Sequence, residues 1–256
     1  MVYKYYSPQP YNFDALQKRY FFFCKVSKLN DPFDTNLKIL GLKPQYVEYA
    51  SQVVKDYGTC SFSRRADNRS LWALYAQSYT GFAVEYDEMR FEDLIRQYNF
   101  RFSFHNVFYV DKPFDGRSPD ASFPSWDYEE GSKMIQLSDC IKDQRKRDAL
   151  FTYMAFMKES KIWRAEDEYR VFVGQDIMRF GKNKEGITFE ENGYKVGMPE
   201  GIIKSVIIGH NMTEENKKRI FELANECKVP VYITQANVPF HIDIIPYGEV
   251  EDKNNV

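Results

Sequence analysis

The chain has 256 residues, and 35 Lys and Arg against 37 Asp and Glu leave a formal net charge of -2. That length suffices for one large domain or two small ones, and near-neutrality supplies no general attraction to nucleic acid or a membrane surface. Four scattered cysteines without a C-x-x-C pair (Cys24, Cys60, Cys140, Cys227) argue against a zinc site or disulfide framework and for a reducing cytoplasm.

Residues 2–6 (V-Y-K-Y-Y) read as a strand carrying Lys4, closed by a turn over 7–10. Residues 14–19 fit one or two helical turns, and 20–26 (Y-F-F-F-C-K-V) form a continuous aromatic run of strand length. Asn30-Asp31-Pro32-Phe33-Asp34 signals a fixed turn. Residues 43–57 put Tyr46, Val47, Ala50, Val53 and Val54 at helical spacing, with Gly58 as the stop. A strand over 59–63 (T-C-S-F-S) would show Ser61 and Ser63 on one face and Cys60 and Phe62 on the other. A helix over 67–79 has Asn68 as its cap and gathers Leu71, Trp72, Leu74 and Tyr75 on one side.

A strand over 81–86, a short helix over 87–98 and an extended aromatic stretch over 100–110 follow. Residues 112–136 lack periodicity and read as an insertion or lid-like loop whose aromatics Phe114, Phe123, Trp126 and Tyr128 need a packing partner. The strongest helical signal covers 137–161, and Tyr169, Val171 and Val173 alternate with Arg170 and Phe172 as a strand. A hairpin within 181–197, a strand over 202–208, a helix over 214–227 begun by Thr213, and strands over 231–234 and 241–245 complete the core. The pattern predicts an α+β fold on a split or strongly bent, mainly antiparallel sheet with flanking helices, as a single catalytic-type domain over 1–248 with a disordered tail at 249–256.

Chemistry concentrates where polar side chains enter strands. Glu166, Asp167 and Glu168 lead directly into the strand 169–173, and an extended backbone would turn Glu166 and Glu168 to one face. Two such carboxylates repel unless they hold a hydroxyl, a cation or two different protons; their other reading is a solvated strand start paired with Arg164 and Arg170. Asp31 and Asp34 could join them around Mg²⁺ in a metal-dependent nuclease, or simply cap a turn around Pro32. His105, His210 and His241 are scattered, Cys60 has no placed base, and 142–147 (K-D-Q-R-K-R) is a basic run with the look of a solvated helix face that an RNA could also touch.

Two resemblances follow from these motifs. V-Y-K-Y, the aromatic run with N-D-P-F-D, C-S-F-S, L-W-A-L-Y-A and W-x-x-E-x-E-Y-R together resemble an uncharacterised bacterial family, the domain of unknown function numbered 2971. The same order resembles, more distantly, the arginine, S-T-S, E-x-E branch of the ADP-ribosyltransferase fold. Lys4 stands where that branch has arginine, Ser61-Phe62-Ser63 where it has S-T-S, and Glu166-Asp167-Glu168 where it has E-x-E. This second resemblance implies an NAD-dependent transferase that moves ADP-ribose to a nucleic acid or protein, in a toxin or phage-defence role with a possible antitoxin or other regulatory partner. It implies Glu168, Glu166 and Ser61 as catalytic residues and Lys4, Tyr5, Ser63, Trp72, Tyr75 and Arg170 as cofactor-binding residues, Tyr75 by stacking on nicotinamide. No metal is expected at this site, and no segment approaches 18 apolar residues, so no membrane span is expected. Lysine lacks arginine's bidentate fork, and Phe62 replaces a threonine. The rival to both enzymes is a module in which the same cleft senses a nucleotide without cutting it.

Overall fold

The computed structural model describes residues 1–29, 56–111, 117–118, 122–124, 134–141, 143–174, 176–236 and 241–247. The N-D-P-F-D turn and the helix expected over 43–57 fall outside these residues up to position 55, as do Phe114, Trp126, Tyr128 and Lys142.

In chain order the elements are β1 (Val2–Tyr6), α1 (Pro10–Gln17), β2 (Tyr20–Lys25), β3 (Gly58–Ser63), α2 (Arg69–Leu74), β4 (Phe82–Tyr86), α3 (Glu92–Tyr98), β5 (Phe102–Asn106) and β6 (Phe108–Val110). They continue with β7 (Ser122–Pro124), β8 (Met134–Gln136), α4 (Gln144–Ala155), β9 (Met157–Glu159), α5 (Ser160–Trp163), β10 (Glu168–Val173) and α6 (Asp176–Phe180). The last are β11 (Ile187–Glu190), β12 (Gly193–Gly197), β13 (Ile203–Ile208), α7 (Glu214–Cys227), β14 (Val231–Gln235) and β15 (Asp243–Pro246). The fold is thus α+β, and a large, mainly antiparallel sheet dominates it.

That 11-stranded sheet forks at β3. Along one edge β3 pairs with β10 over its full length, from Ser63↔Glu168 to Gly58↔Val173. Along the other edge it pairs with β2 only through Thr59 and Gly58, and with β1 only through Ser63. Between those two contacts, at Cys60, Ser61 and Phe62, β1 and β2 diverge and the sheet opens. One limb then runs β1-β4-β13-β14-β15 and the other β2-β12-β11. The chain crosses between the limbs through α1, with Pro10 at the first helical positions where its fixed φ suits the start.

Strand alternation sorts the residues. Cys60, Phe62, Tyr169, Val171, Val2, Tyr6, Phe21 and Phe23 enter the main core, where the Phe62 ring meets Phe21, Tyr86 and Phe91 at centroid distances of 5.7, 5.6 and 5.0 Å. Burying such a ring stabilises by roughly 2–3 kcal/mol. On the opposite face Phe172 packs with Phe156, Tyr153 and Phe123 in a second core, while Tyr5, Trp72, Ala83 and Ile207 form a third. Glu168, Arg170, Ser61 and Ser63 occupy this second face, between those two smaller cores.

Three expected elements differ. The long helix over 137–161 is broken into a 3-10 turn (Leu137–Ile141), α4, the strand β9 and α5. Its apolar spacing is satisfied only as far as Ala155, after which Met157–Glu159 pairs in parallel with β6. The helix over 67–79 shortens to α2. Asn68 caps it as expected, accepting from the Leu71 amide, but left-handed backbone at Gln77, Ser78 and Tyr79 ends it. The extended conformation also does not reach back past Glu168: Arg164–Glu166 is a 3-10 turn, and Asp167 sits at φ 46°. In the 112–136 stretch the described strands β7 and β8 pair with each other, and Phe123 is fully buried.

Candidate active site

The fork holds a cleft of about 960 Å³. One flank comes from β1 (Tyr3, Lys4, Tyr5), another from α1 and β2 (Tyr11, Asp14, Tyr20, Phe22), with β3 between them and Tyr75 at the rim. Lys158, Glu166, Glu168 and Arg170 close one side. Of the residues predicted from the sequence, Lys4, Tyr5, Ser61, Ser63, Tyr75, Glu166, Glu168 and Arg170 all line this cleft. Trp72 does not. It is 0 % exposed, donates its indole N–H to Ala66 O at 2.9 Å and meets the Tyr5 ring edge-on at 5.2 Å, so it props Tyr5 from behind.

Lys4 arrives from the core face, since its neighbours Val2 and Tyr6 point into the main core. Its ammonium lies beside core-face rings, 5.4 Å from the Phe62 and 5.9 Å from the Tyr6 ring centroid, and donates to the Ser61 carbonyl at 2.9 Å. That carbonyl is on the edge of β3 left without a ladder partner by the fork, so the lysine satisfies a group that the sheet cannot. Tyr5 donates its phenol to Arg65 O and accepts from the Asn68 amide, which fixes the loop leading into α2.

At the other end, the register sets Ser63 opposite Glu168 and Ser61 opposite Arg170. The serine facing the second glutamate is therefore Ser63, and its hydroxyl donates to Glu166 O at 2.7 Å. Asn68 Nδ2 donates to Ala165 O at 2.6 Å. These bonds hold the tight turn that lets Asp167 take the left-handed conformation, and Asp tolerates that region better than most residues.

The turn folds Glu166 back so that both carboxylates meet one cation that the sequence reading missed. Lys158 Nζ is 2.9 Å from Glu166 Oε2 and 2.8 Å from Glu168 Oε2, with the Trp163 ring 4.5 Å away. Arg170 grips Glu168 with two donors, Nε to Oε1 at 2.5 Å and Nη2 to Oε2 at 3.1 Å, and donates Nη1 to Ala155 O at 2.9 Å. Tyr109 accepts from the Glu168 amide.

Glu168 is 5 % and Arg170 1 % exposed, so this is a buried network of two acids and two bases. Burial opposes the charged form of Glu168, but Arg170 and Lys158 outweigh it and hold the carboxyl down at about 2. For Glu166 burial wins: with one cation beside it and Glu168 as a like-charged neighbour, its carboxyl is raised. The Lys158 ammonium, though penalised by burial, is held charged above its ordinary range by the two carboxylates. Glu168 is thus ionised at neutral pH, and Glu166 is shifted toward taking up a proton.

The remaining candidates lie elsewhere. Burial pushes the Cys60 thiol up, away from reactivity. His105, His210 and His241 are outside the cleft lining, each beside a local partner: Asn106 O, Thr234 Oγ1 and Asp243. Among the described residues no group of three His, Cys, Asp or Glu side chains could hold a metal ion, and Asp31 and Asp34 lie outside them.

Residues 71–171 match the family model described as Protein of unknown function (DUF2971). The matched region spans α2 to β10 and so contains Lys158, Glu166, Glu168 and Arg170, while Lys4, Ser61 and Ser63 precede it. The DUF2971 description assigns no activity. No curated protein and no solved structure matches the chain. Among the described residues no helix is long and apolar enough to cross a membrane.

Proposed function

We propose that this cleft binds NAD and that the chain is an ADP-ribosyltransferase-like enzyme, cleaving the nicotinamide–ribose bond and passing ADP-ribose to a macromolecular acceptor. One observation carries the reading. A cation from β1, two serines from β3, and two acids, Glu166 in the turn before β10 and Glu168 at its start, line the same fork in the sheet, in the order the resemblance implies. The cleft is at the upper end of the range for ligand pockets, as a dinucleotide needs. Its walls offer Lys4, Lys28 and Lys195 for phosphate oxygens and Tyr3, Tyr20, Phe22 and Tyr75 for flat rings.

In this reading the bond from ribose C1′ to the nicotinamide nitrogen breaks, its electron pair leaves with nicotinamide, and positive charge develops on the ribose. Glu168, ionised throughout the physiological range, faces that charge. Three donors from Arg170 and Lys158 occupy its oxygens, so about one of a carboxylate's four acceptor positions is left, on Oε1, for a ribose hydroxyl. Glu166, raised by burial, takes the proton of the acceptor as its nucleophile bonds to C1′. Ser63 acts indirectly, by tying the Glu166 backbone. Tyr75, 41 % exposed at the rim, supplies a stacking surface.

The metal-nuclease alternative fares worse. A divalent ion between Glu166 and Glu168 would have to share their oxygens with the Lys158 ammonium and the Arg170 guanidinium, cations already 2.5–3.1 Å away. The class of acceptor, a toxin or phage-defence role, and a restraining partner rest on the resemblance alone. A reducing cytoplasm fits the four free cysteines. The test is release of free nicotinamide from NAD by the native chain, with Glu168→Gln as the control. The proposal expects release by the first and at least about a hundredfold loss in the second. Tight nucleotide binding without turnover would instead assign the cleft to sensing.

A further inference from the structure

Resting on the ADP-ribosyl-transfer reading, we infer that Lys158 is a positioning residue of the site: its ammonium clamps Glu166 and Glu168 side by side and makes the pair one unit. Lys158 lies outside the three motifs that the resemblance carries over, and its own strand, β9, belongs to a separate two-stranded sheet with β6.

The geometry is that of a built device. The side chain of Lys158 is 7 % exposed, and its ammonium bonds one oxygen of each acid while the Trp163 ring covers it. Glu166 and Glu168 come from different backbone segments, a 3-10 turn and a strand, on either side of the left-handed Asp167. Nothing in that backbone fixes the Glu166 side chain: Ser63 and Asn68 bond only main-chain oxygens there. Glu168 has Arg170 besides Lys158, whereas the Glu166 carboxylate is held by Lys158. Removing the lysine would therefore free Glu166 more than Glu168 and leave the two carboxylates facing each other. The charged and titratable groups around Glu166 are Lys158 from β9, Glu168 and Arg170 from β10, and the Tyr109 phenol from β6 near the Glu168 amide.

The experiment pairs Lys158→Met with Lys158→Arg. Carboxyl ¹³C NMR follows the titration of Glu166 and Glu168, and nicotinamide release gives kcat and KM for NAD. In Lys158→Met, Glu166 should protonate at higher pH than in the native chain, and kcat should fall by about ten- to a hundredfold while KM changes by less than about threefold. Lys158→Arg keeps the charge, so Glu166 should titrate near its native position and part of kcat should return. A folded Lys158→Met chain with native Glu166 titration and native kcat overturns the inference. Should Lys158→Met not fold, Lys158→Arg decides, because upward displacement of Glu166 despite the retained charge contradicts the clamp. If the native chain releases no nicotinamide, the transfer reading falls alone, and the titrations still judge Lys158.

Discussion

The Lys4 ammonium donates to the Ser61 carbonyl at 2.9 Å, across the gap where β1 parts from β3. A cation at the floor of a sheet fork both satisfies an unpaired strand edge and presents its remaining donors to whatever enters. An ammonium has three donors, so the bonds to Ser61 O and the Cys60 thiol leave one for an anionic oxygen.

Replacing Lys4 with Met should therefore act on binding. KM for NAD should rise about tenfold, the worth of one charge-assisted contact, with a smaller change in kcat. Steady-state nicotinamide release gives both numbers. An unchanged KM would remove Lys4 from the phosphate path.

Tyr75 separates binding from stability in another way. It sits at the rim, so Tyr75→Ala should change unfolding free energy by no more than about 0.5 kcal/mol. Loss of a stacking surface should nonetheless weaken NAD by about 1–3 kcal/mol, read by titration calorimetry. Equal affinity in the variant would place the ring elsewhere.

Glu168 contributes to stability as well as to the chemistry. Its carboxyl is held at about 2, below its ordinary value in the unfolded chain, so the stabilisation is complete above about pH 4.5 and is lost as pH falls toward 2. Over that window it amounts to about 3 kcal/mol. Glu166 works in the opposite sense: its raised carboxyl costs stability once ionised, and that cost is relieved as pH falls through its folded value. Urea unfolding of the native chain should thus hold or rise slightly on mild acidification and then drop between pH 4.5 and 2. Glu168→Gln should be destabilised by about 3–5 kcal/mol at neutral pH, because Lys158 and Arg170 lose a buried partner, and should lack the steep acid limb. Identical acid limbs in the two chains would contradict the network.

Much of this was legible in the chain. Strand patterns placed Lys4, Ser61 with Ser63, and Glu168 on β1, β3 and β10, the Asn68 cap was visible, and the 214–227 helix has the expected bounds. The pairing partner of each serine was not legible, because register is a long-range property: one residue decides whether Ser61 or Ser63 faces Glu168. Lys158 was hidden by Leu150, Tyr153, Met154 and Met157, whose helical spacing runs on past the point where the backbone straightens into β9. The signal that could have found it is the spacing K-x4-W-x2-E-x-E-x-R from 158 to 170, which gathers two acids, two bases and a ring. Trp72 shows the reverse error. The resemblance implies it as a cofactor-binding residue, yet α2 turns it fully inward and leaves Tyr75 at the rim.

The fork itself is tested most directly by a crystal structure of the chain with a non-cleavable NAD analogue. The account predicts the dinucleotide in the cleft between β1 and β2, with a phosphate oxygen at the Lys4 ammonium and the ribose next to nicotinamide against Glu168. An analogue bound away from Lys4 and Glu168, or none bound at saturating concentration, would contradict it.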